Sequence, residues 1–227
     1  MHLSATKENQ RAILIWDLPV RLFHWVLVVQ VVFSIITAKI GGNLMVWHVR
    51  SGYAILALLV FRILWGFMGG QTARFAAFVH RPGRVIGYAR HLLQPADQPH
   101  AGHNPLGGWM VVLMLGLLVT QAVSGLFADD EIATTGPLAA HASARIVGWM
   151  SKLHALNSNA LLILVALHIF AILAYLLVKK DNLIRPMLTG KKWLPDGISE
   201  PRMVTHWLAL ACFAMGVGLV AALVLFV

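Results

Sequence analysis

Apolar residues along this chain fall into five long runs separated by polar or charged stretches. They are VRLFHWVLVVQVVFSIITA at 20–38, MVWHVRSGYAILALLVFRILWG at 45–66, LGGWMVVLMLGLLVTQAVSGLFA at 106–128, a stretch at 152–178 that ends in YLLV before Lys179 and Lys180, and VTHWLALACFAMGVGLVAALVLFV at 204–227. Each is long enough to cross a hydrocarbon core of about 30 Å as a helix, which satisfies its own backbone there. The pattern predicts an all-α membrane protein. A four-helix transmembrane bundle occupies 1–178, a loop 179–203, and a fifth C-terminal transmembrane helix 204–227. Between the second and third runs, VHRPGRVIGYARHLL at 79–93 mixes apolar and basic residues after a proline and predicts a helix lying on the membrane surface. LIRPMLTGKKWLPDGISEP at 183–201 has turn residues and basic charge, and predicts a structured loop.

Composition agrees with the pattern. Of 227 residues, 59% are hydrophobic and 12% charged, about half the charged share of a soluble domain. Mean hydropathy is +0.74. The net charge of +9 does not point to nucleic acid, because the cations sit between apolar runs. Lys7, Arg11, Arg21, Arg74, Arg81, Arg84, Arg90, Lys179, Lys180, Arg185, Lys191, Lys192 and Arg202 fall on one side, against Lys39, Arg145 and Lys152 on the other. Thirteen against three places the N-terminus in the cytoplasm and the C-terminus in the periplasm. The loop 128–151 then lies outside. Its acids Asp129, Asp130 and Glu131 form a candidate docking patch for a basic redox partner, against the plainer reading of a solvated loop. The polar N-terminus has no h-region, so no signal peptide is expected to be removed. A single cysteine, Cys212, excludes an intramolecular disulfide, covalent haem attachment through Cys-x-x-Cys-His, and thiolate clusters. Trp16, Trp25, Trp47, Trp65, Trp109, Trp149 and Trp207 cluster at run ends, as an aromatic belt would.

Four of the eleven histidines lie within the first, second and fourth runs. His154 and His168 are fourteen residues apart, so they leave one helix face about 21 Å from each other. With the helices alternating in direction, His48 and His154 fall near the outer surface and His24 and His168 near the inner one. Two pairs at two depths suit two haems, each iron taking an imidazole from either side. Such ligation leaves no open position and favours electron transfer. The competing reading is four histidines that bond neighbouring helices or line a proton path. Arg62 shares the face of His48 and lies at the depth of the inner pair, and Arg21 shares the face of His24. Both are candidates for the propionates of the inner haem, against simple snorkelling to the interface. Arg50 is a weaker candidate at the outer haem. His80, His91, His100 and His103 read as solvated or interfacial, His141 as an outer-loop residue, and His206 as the start of the fifth helix. No nucleophile–base arrangement or carboxylate pair stands in a core segment, so no catalytic residues are assigned.

Several stretches resemble the bacterial cytochrome b561 family, which is related to the b-type subunits of nickel–iron hydrogenases. They are WDLPVRLFHW at 16–25, FRILWGFMGGQTARFAAF at 61–78, GHNPLGGWMVVLMLGLLVTQAVSGLF at 102–127, LHALNSNALLILVALHIFAILAY at 153–175 and NLIRPMLTGKK at 182–192. The resemblance implies a four-helix bundle with two non-covalent b haems, and its ligand positions match His24, His48, His154 and His168. It implies an inner-membrane protein that passes electrons between the quinone pool (ubiquinone or menaquinone, with a quinone bound) and a periplasmic redox partner such as a cytochrome c. The alternatives are a b-type anchor subunit of a hydrogenase or dehydrogenase, and a quinone-linked superoxide oxidase with oxidoreductase activity of its own. The fifth helix and longer outer loop depart from the smallest members and weigh against the superoxide reading. A homodimer is left open. From a different class, a histidine-based metal or proton transporter would need midplane acids or broken helices, which the runs lack.

Overall fold

The computed structural model describes residues 10–92, 101–132 and 134–226. His2, Lys7 and His100 lie outside them. Strand β1 (Gln10–Leu14) leads into α1 (Leu18–Ile40) and α2 (Met45–Met68), followed by one turn of helix, α3 (Phe75–Phe78), and by α4 (Pro82–Arg90). Then come α5 (Pro105–Phe127), α6 (Ala144–Leu177), α7 (Ile184–Thr189), β2 (Lys191–Pro195) and α8 (His206–Phe226). Five helices are long and apolar enough to span a bilayer, and they coincide with the five apolar runs. The surface helix expected at 79–93 is α4, which begins at its proline.

Two features differ from expectation. The fourth span starts at Ala144, not near 152, because Ser143 caps it by accepting from Ile146 N. Its 34 residues measure about 51 Å, well beyond a hydrocarbon core. The fold is also not purely helical. β1 and β2 pair antiparallel, with Ala12 opposite Trp193. Ile13 and Leu194 become fully buried there, and a basic segment with an apolar residue at alternate positions is stable as a strand once a partner covers that face. Gly190 closes α7 at φ 82°, and its carbonyl accepts from Ile15 N and Trp16 N.

Polar capping places α1 at this sheet end of the bundle. Asp17 accepts from Val20 N at 2.9 Å and from Trp65 Nε1 at 3.1 Å, which ties α1 to α2. Trp16 and Trp65 are therefore core residues, not members of an interfacial belt. A tryptophan whose N–H meets a buried carboxylate has no reason to seek the interface.

The spans pack in the order α1, α2, α5, α6, and α8 covers the other side of α2. α6 lies along α5 and has no comparable packing against α1 or α2. The fifth helix docks through Ala209, Cys212, Gly216 and Val220, which share one face and are its buried residues. A methyl group on Gly216 would stand 2.7 Å from Ala57 O, so α8 reaches α2 at backbone contact distance. Val29, Phe170 and Phe226 point outward, as side chains facing lipid do.

Gly216→Leu should wedge α8 from α2 and cost about 1–3 kcal/mol, the usual range for overpacking. A lower thermal unfolding midpoint of the detergent-solubilised protein would report it. Gly218→Leu, which meets open space, should leave the midpoint in place.

Candidate functional site

Two turns of logic in the spans bring histidines together. α6 presents His154 and His168 fourteen residues apart on one face, α2 supplies His48 and α1 supplies His24. The rings of His48 and His154 lie 6.1 Å apart between centroids, with planes at 88°.

The orientation of both rings is set from outside the pair. His48 Nδ1 donates to Ser34 O of α1 at 3.0 Å, with Ser34 Oγ 3.1 Å away. His154 Nδ1 donates to Gln121 O of α5 at 3.0 Å, with Ser124 Oγ 3.3 Å away. A carbonyl oxygen only accepts, so each ring proton sits on Nδ1 and each Nε2 carries a lone pair. This outer arrangement is how metal-binding imidazoles are held. A metal–imidazole bond is about 2 Å long, and two in line with their rings need about 6 Å between centroids. The observed separation fits one metal between two neutral rings.

Further residues seat His154. Asn157 Nδ2 donates to Leu117 O at 2.9 Å and to Gln121 Oε1 at 2.7 Å, pinning α6 to α5 one turn from the ring. Gly125 is the ring's floor: a methyl there would stand 2.9 Å from His154 Cε1. Sequence reading passed over Ser34, Gln121, Ser124, Gly125 and Asn157. The available signal was Gln121, Ser124 and Gly125 at i, i+3 and i+4, a small polar face inside an apolar run.

The other pair lies at the sheet end. His24 and His168 are close enough to interact electrostatically, but here no carbonyl orients His24, whose Nδ1 is buried without a hydrogen-bond partner. Arg62 joins them. It is 3% exposed, so it does not snorkel. Its Nη2 donates to Ala73 O at 3.2 Å and its guanidinium lies over Phe75 at 5.2 Å, while Nη1 is buried without a partner. Arg21 is directed elsewhere: Nη1 donates to Leu188 O at 2.6 Å, and with Trp25 Nε1 on Met187 O it fastens α7 to α1. Its Nε is buried and unpartnered. Arg50 stacks on Trp47 at 4.9 Å.

His103 corrects the expectation of a solvated residue. Asn104 caps α5 by accepting from Gly107 N, and the turn into that cap drives the preceding side chain inward. The His103 ring lies between Trp16 at 4.6 Å and Phe78 at 4.7 Å, with Nδ1 buried and unpartnered. His91, His141 and His206 are exposed. In the loop between α5 and α6, Asp129 Oδ1 accepts from Glu131 N, and Asp130 Oδ1 from Ile132 N and Thr134 N. Among the described residues no three of His, Cys, Asp and Glu converge on a common metal position. Paired imidazoles with unpartnered cationic and N–H donors beside them instead fit haem, a planar ligand with its own four nitrogens and anionic side groups.

Comparison with known proteins agrees. The family model described as prokaryotic cytochrome b561 matches residues 15–190. A probable Ni/Fe-hydrogenase B-type cytochrome subunit of Azotobacter chroococcum mcd 1 is 25% identical, over 83% of this chain and 92% of its own length. Proteins of the same description from Azotobacter vinelandii and Rhizobium leguminosarum bv. viciae are 24% and 22% identical over the same shares. No solved structure matches.

Burial, with Arg62 and His168 nearby, pushes His103 down to about 3. The unfolded chain then binds a proton near pH 6.5 that the folded chain refuses until about pH 3. Stability from this group is complete above pH 6.5 and falls on acidification through that window, by at most about 1.4 kcal/mol per pH unit. Thermal unfolding of the haem-free protein against pH should show a shallower acid slope for His103→Phe.

Proposed function

Because the chain belongs to the prokaryotic cytochrome b561 family, we propose that it is a two-haem electron carrier whose irons are held by His48 with His154 and by His24 with His168. The family implies haem b and electron transfer. The observation that carries the finer reading is the His48–His154 pair, 6.1 Å apart between centroids, with both Nδ1 protons committed to backbone carbonyls. Held by two imidazoles, a b haem supplies a one-electron Fe(III)/Fe(II) couple with no open coordination position.

The chain's part is positional. α6 sets the two pairs about 21 Å apart along one face, which divides the crossing between two centres. Ser34 and Gln121 keep the outer imidazoles in the tautomer that binds metal. Apolar side chains of α1, α2, α5 and α6 exclude water from the path, and Arg62 supplies positive charge beside the inner pair. The bias of basic residues toward the sheet end supports a cytoplasmic position for that end, with His24 and His168, and a periplasmic one for the end with His48 and His154. Electrons pass between ubiquinone or menaquinone in the membrane and a periplasmic redox protein. The relatives' descriptions as hydrogenase B-type cytochrome subunits favour a nickel–iron hydrogenase as that protein over a cytochrome c.

Purified protein should hold two haems per chain by pyridine haemochrome, low-spin and six-coordinate, all extractable into acidified acetone. His48→Ala and His154→Ala should remove one and the same haem, and His24→Ala and His168→Ala the other. Gly125→Leu, which pushes on the His154 ring, should lose the first haem only. Gly148→Leu, set against open space, should keep both. One haem per chain, or matching spectra from His24→Ala and His154→Ala, would overturn the pairing. Tagged protein drawn from native membranes should carry nickel if the partner is a hydrogenase.

A further inference from the structure

We propose that Arg62 and His103 together form the receptor for a single carboxylate, a propionate of the haem held by His24 and His168. The inference rests on the function proposed above, and it gives His103 a role in place of a solvated or interfacial one.

Arg62 is a cation inside the protein with no anion in contact. Among the described residues the only ion pair is Lys192 with Asp181. Asp17, the carboxylate that acts on Arg62 from a distance, is already engaged by Val20 N and Trp65 Nε1. Taking a charge out of water costs several kcal/mol unless a partner compensates it, and one guanidinium nitrogen, Nη1, is left with none. His103 presents another such atom, Nδ1, from a different element, and Arg21 Nε and His24 Nδ1 are the remaining ones among the described residues.

The two groups flank one ring. Arg62 Cζ lies 6.0 Å from the centroid of Phe78, and the His103 ring 4.7 Å from it. His103 interacts electrostatically with both Arg62 and His168, and His168 in turn with His24. Both orphaned atoms therefore belong to the neighbourhood of the inner histidine pair. A permanently charged fork and a neutral imidazole N–H are two donors for the two oxygens of one carboxylate. A lipid phosphate is the poorer occupant, since Arg62 is only 3% exposed and its unpartnered Nη1 lies inside the protein. The remaining alternative is that His103 binds iron itself.

Resonance Raman spectra and potentiometric titration of the full-length protein in detergent test the assignment. His103→Leu should keep two low-spin haems, shift the propionate bending modes and lower the midpoint potential of one haem only, because an uncompensated carboxylate stabilises the ferric iron. His103→Asn, which retains an N–H donor, should sit close to wild type. Arg62→Leu should move the same haem further in the same direction; if it fails to fold, the His103 pair of variants carries the test. Loss of a six-coordinate signal in His103→Leu would make His103 an axial ligand and overturn the proposal. Unmoved modes and potentials in His103→Leu, with wild-type protein replete in haem, would also overturn it and leave the proposed function standing. Wild-type protein without haem would overturn both.

Discussion

A neutral imidazole in hydrocarbon keeps one orientation only if its N–H has a fixed acceptor. For His48 and His154 the acceptors are carbonyls of neighbouring helices, Ser34 O and Gln121 O. Those carbonyls are also partners in helical ladders, and each takes a hydroxyl as well, Thr37 Oγ1 on Ser34 O and Ser124 Oγ on Gln121 O, so each is a crowded, fixed acceptor. Everything at this end follows from that constraint. α1 must stand beside α2, and α5 beside α6, for the rings to be brought together. Asn157 and Gly125 hold α6 and α5 at the separation that allows it.

The sheet end uses a different device. There the histidines are not fixed by carbonyls, and the order comes from a buried polar node. Asp17 starts α1, accepts the Trp65 indole and lies within electrostatic reach of Arg62. The β1–β2 pair and the Gly190 carbonyl clamp the chain that leads into this node. Aromatic rings of Trp16, Phe75 and Phe78 wall in Arg62 and His103. One end is thus pre-set by backbone acceptors, and the other is left with unpartnered donors that an anion would complete.

The fifth helix belongs to the same packing unit and is no separate appendage. Its small-residue face allows backbone approach, which is how helices associate in lipid where no hydrophobic force draws them together. It packs on α2 at Ala57 and Phe61, so it stiffens the helix that carries both His48 and Arg62.

Much was legible in the residues alone. Hydrophobic run length determined five spans, because a helix of about twenty residues is the only cheap crossing of a bilayer. Helical period put His154 and His168 on one face, and alternation of direction matched them to His48 and His24. Contacts at long separation were not legible. Periodicity ranks His103 as a loop residue and Trp65 as a belt residue, since nothing local records that Trp16, Phe78 and Asp17 will meet them. It cannot foresee that residues 10–14 will find 191–195, or that Ser143 will start α6 ahead of the apolar run. The sequence by itself determined which residues cross the bilayer and which faces bear histidine. Tertiary structure alone decided which donors find acceptors and which are left waiting, because hydrogen-bond satisfaction depends on neighbours that the chain brings together only when folded.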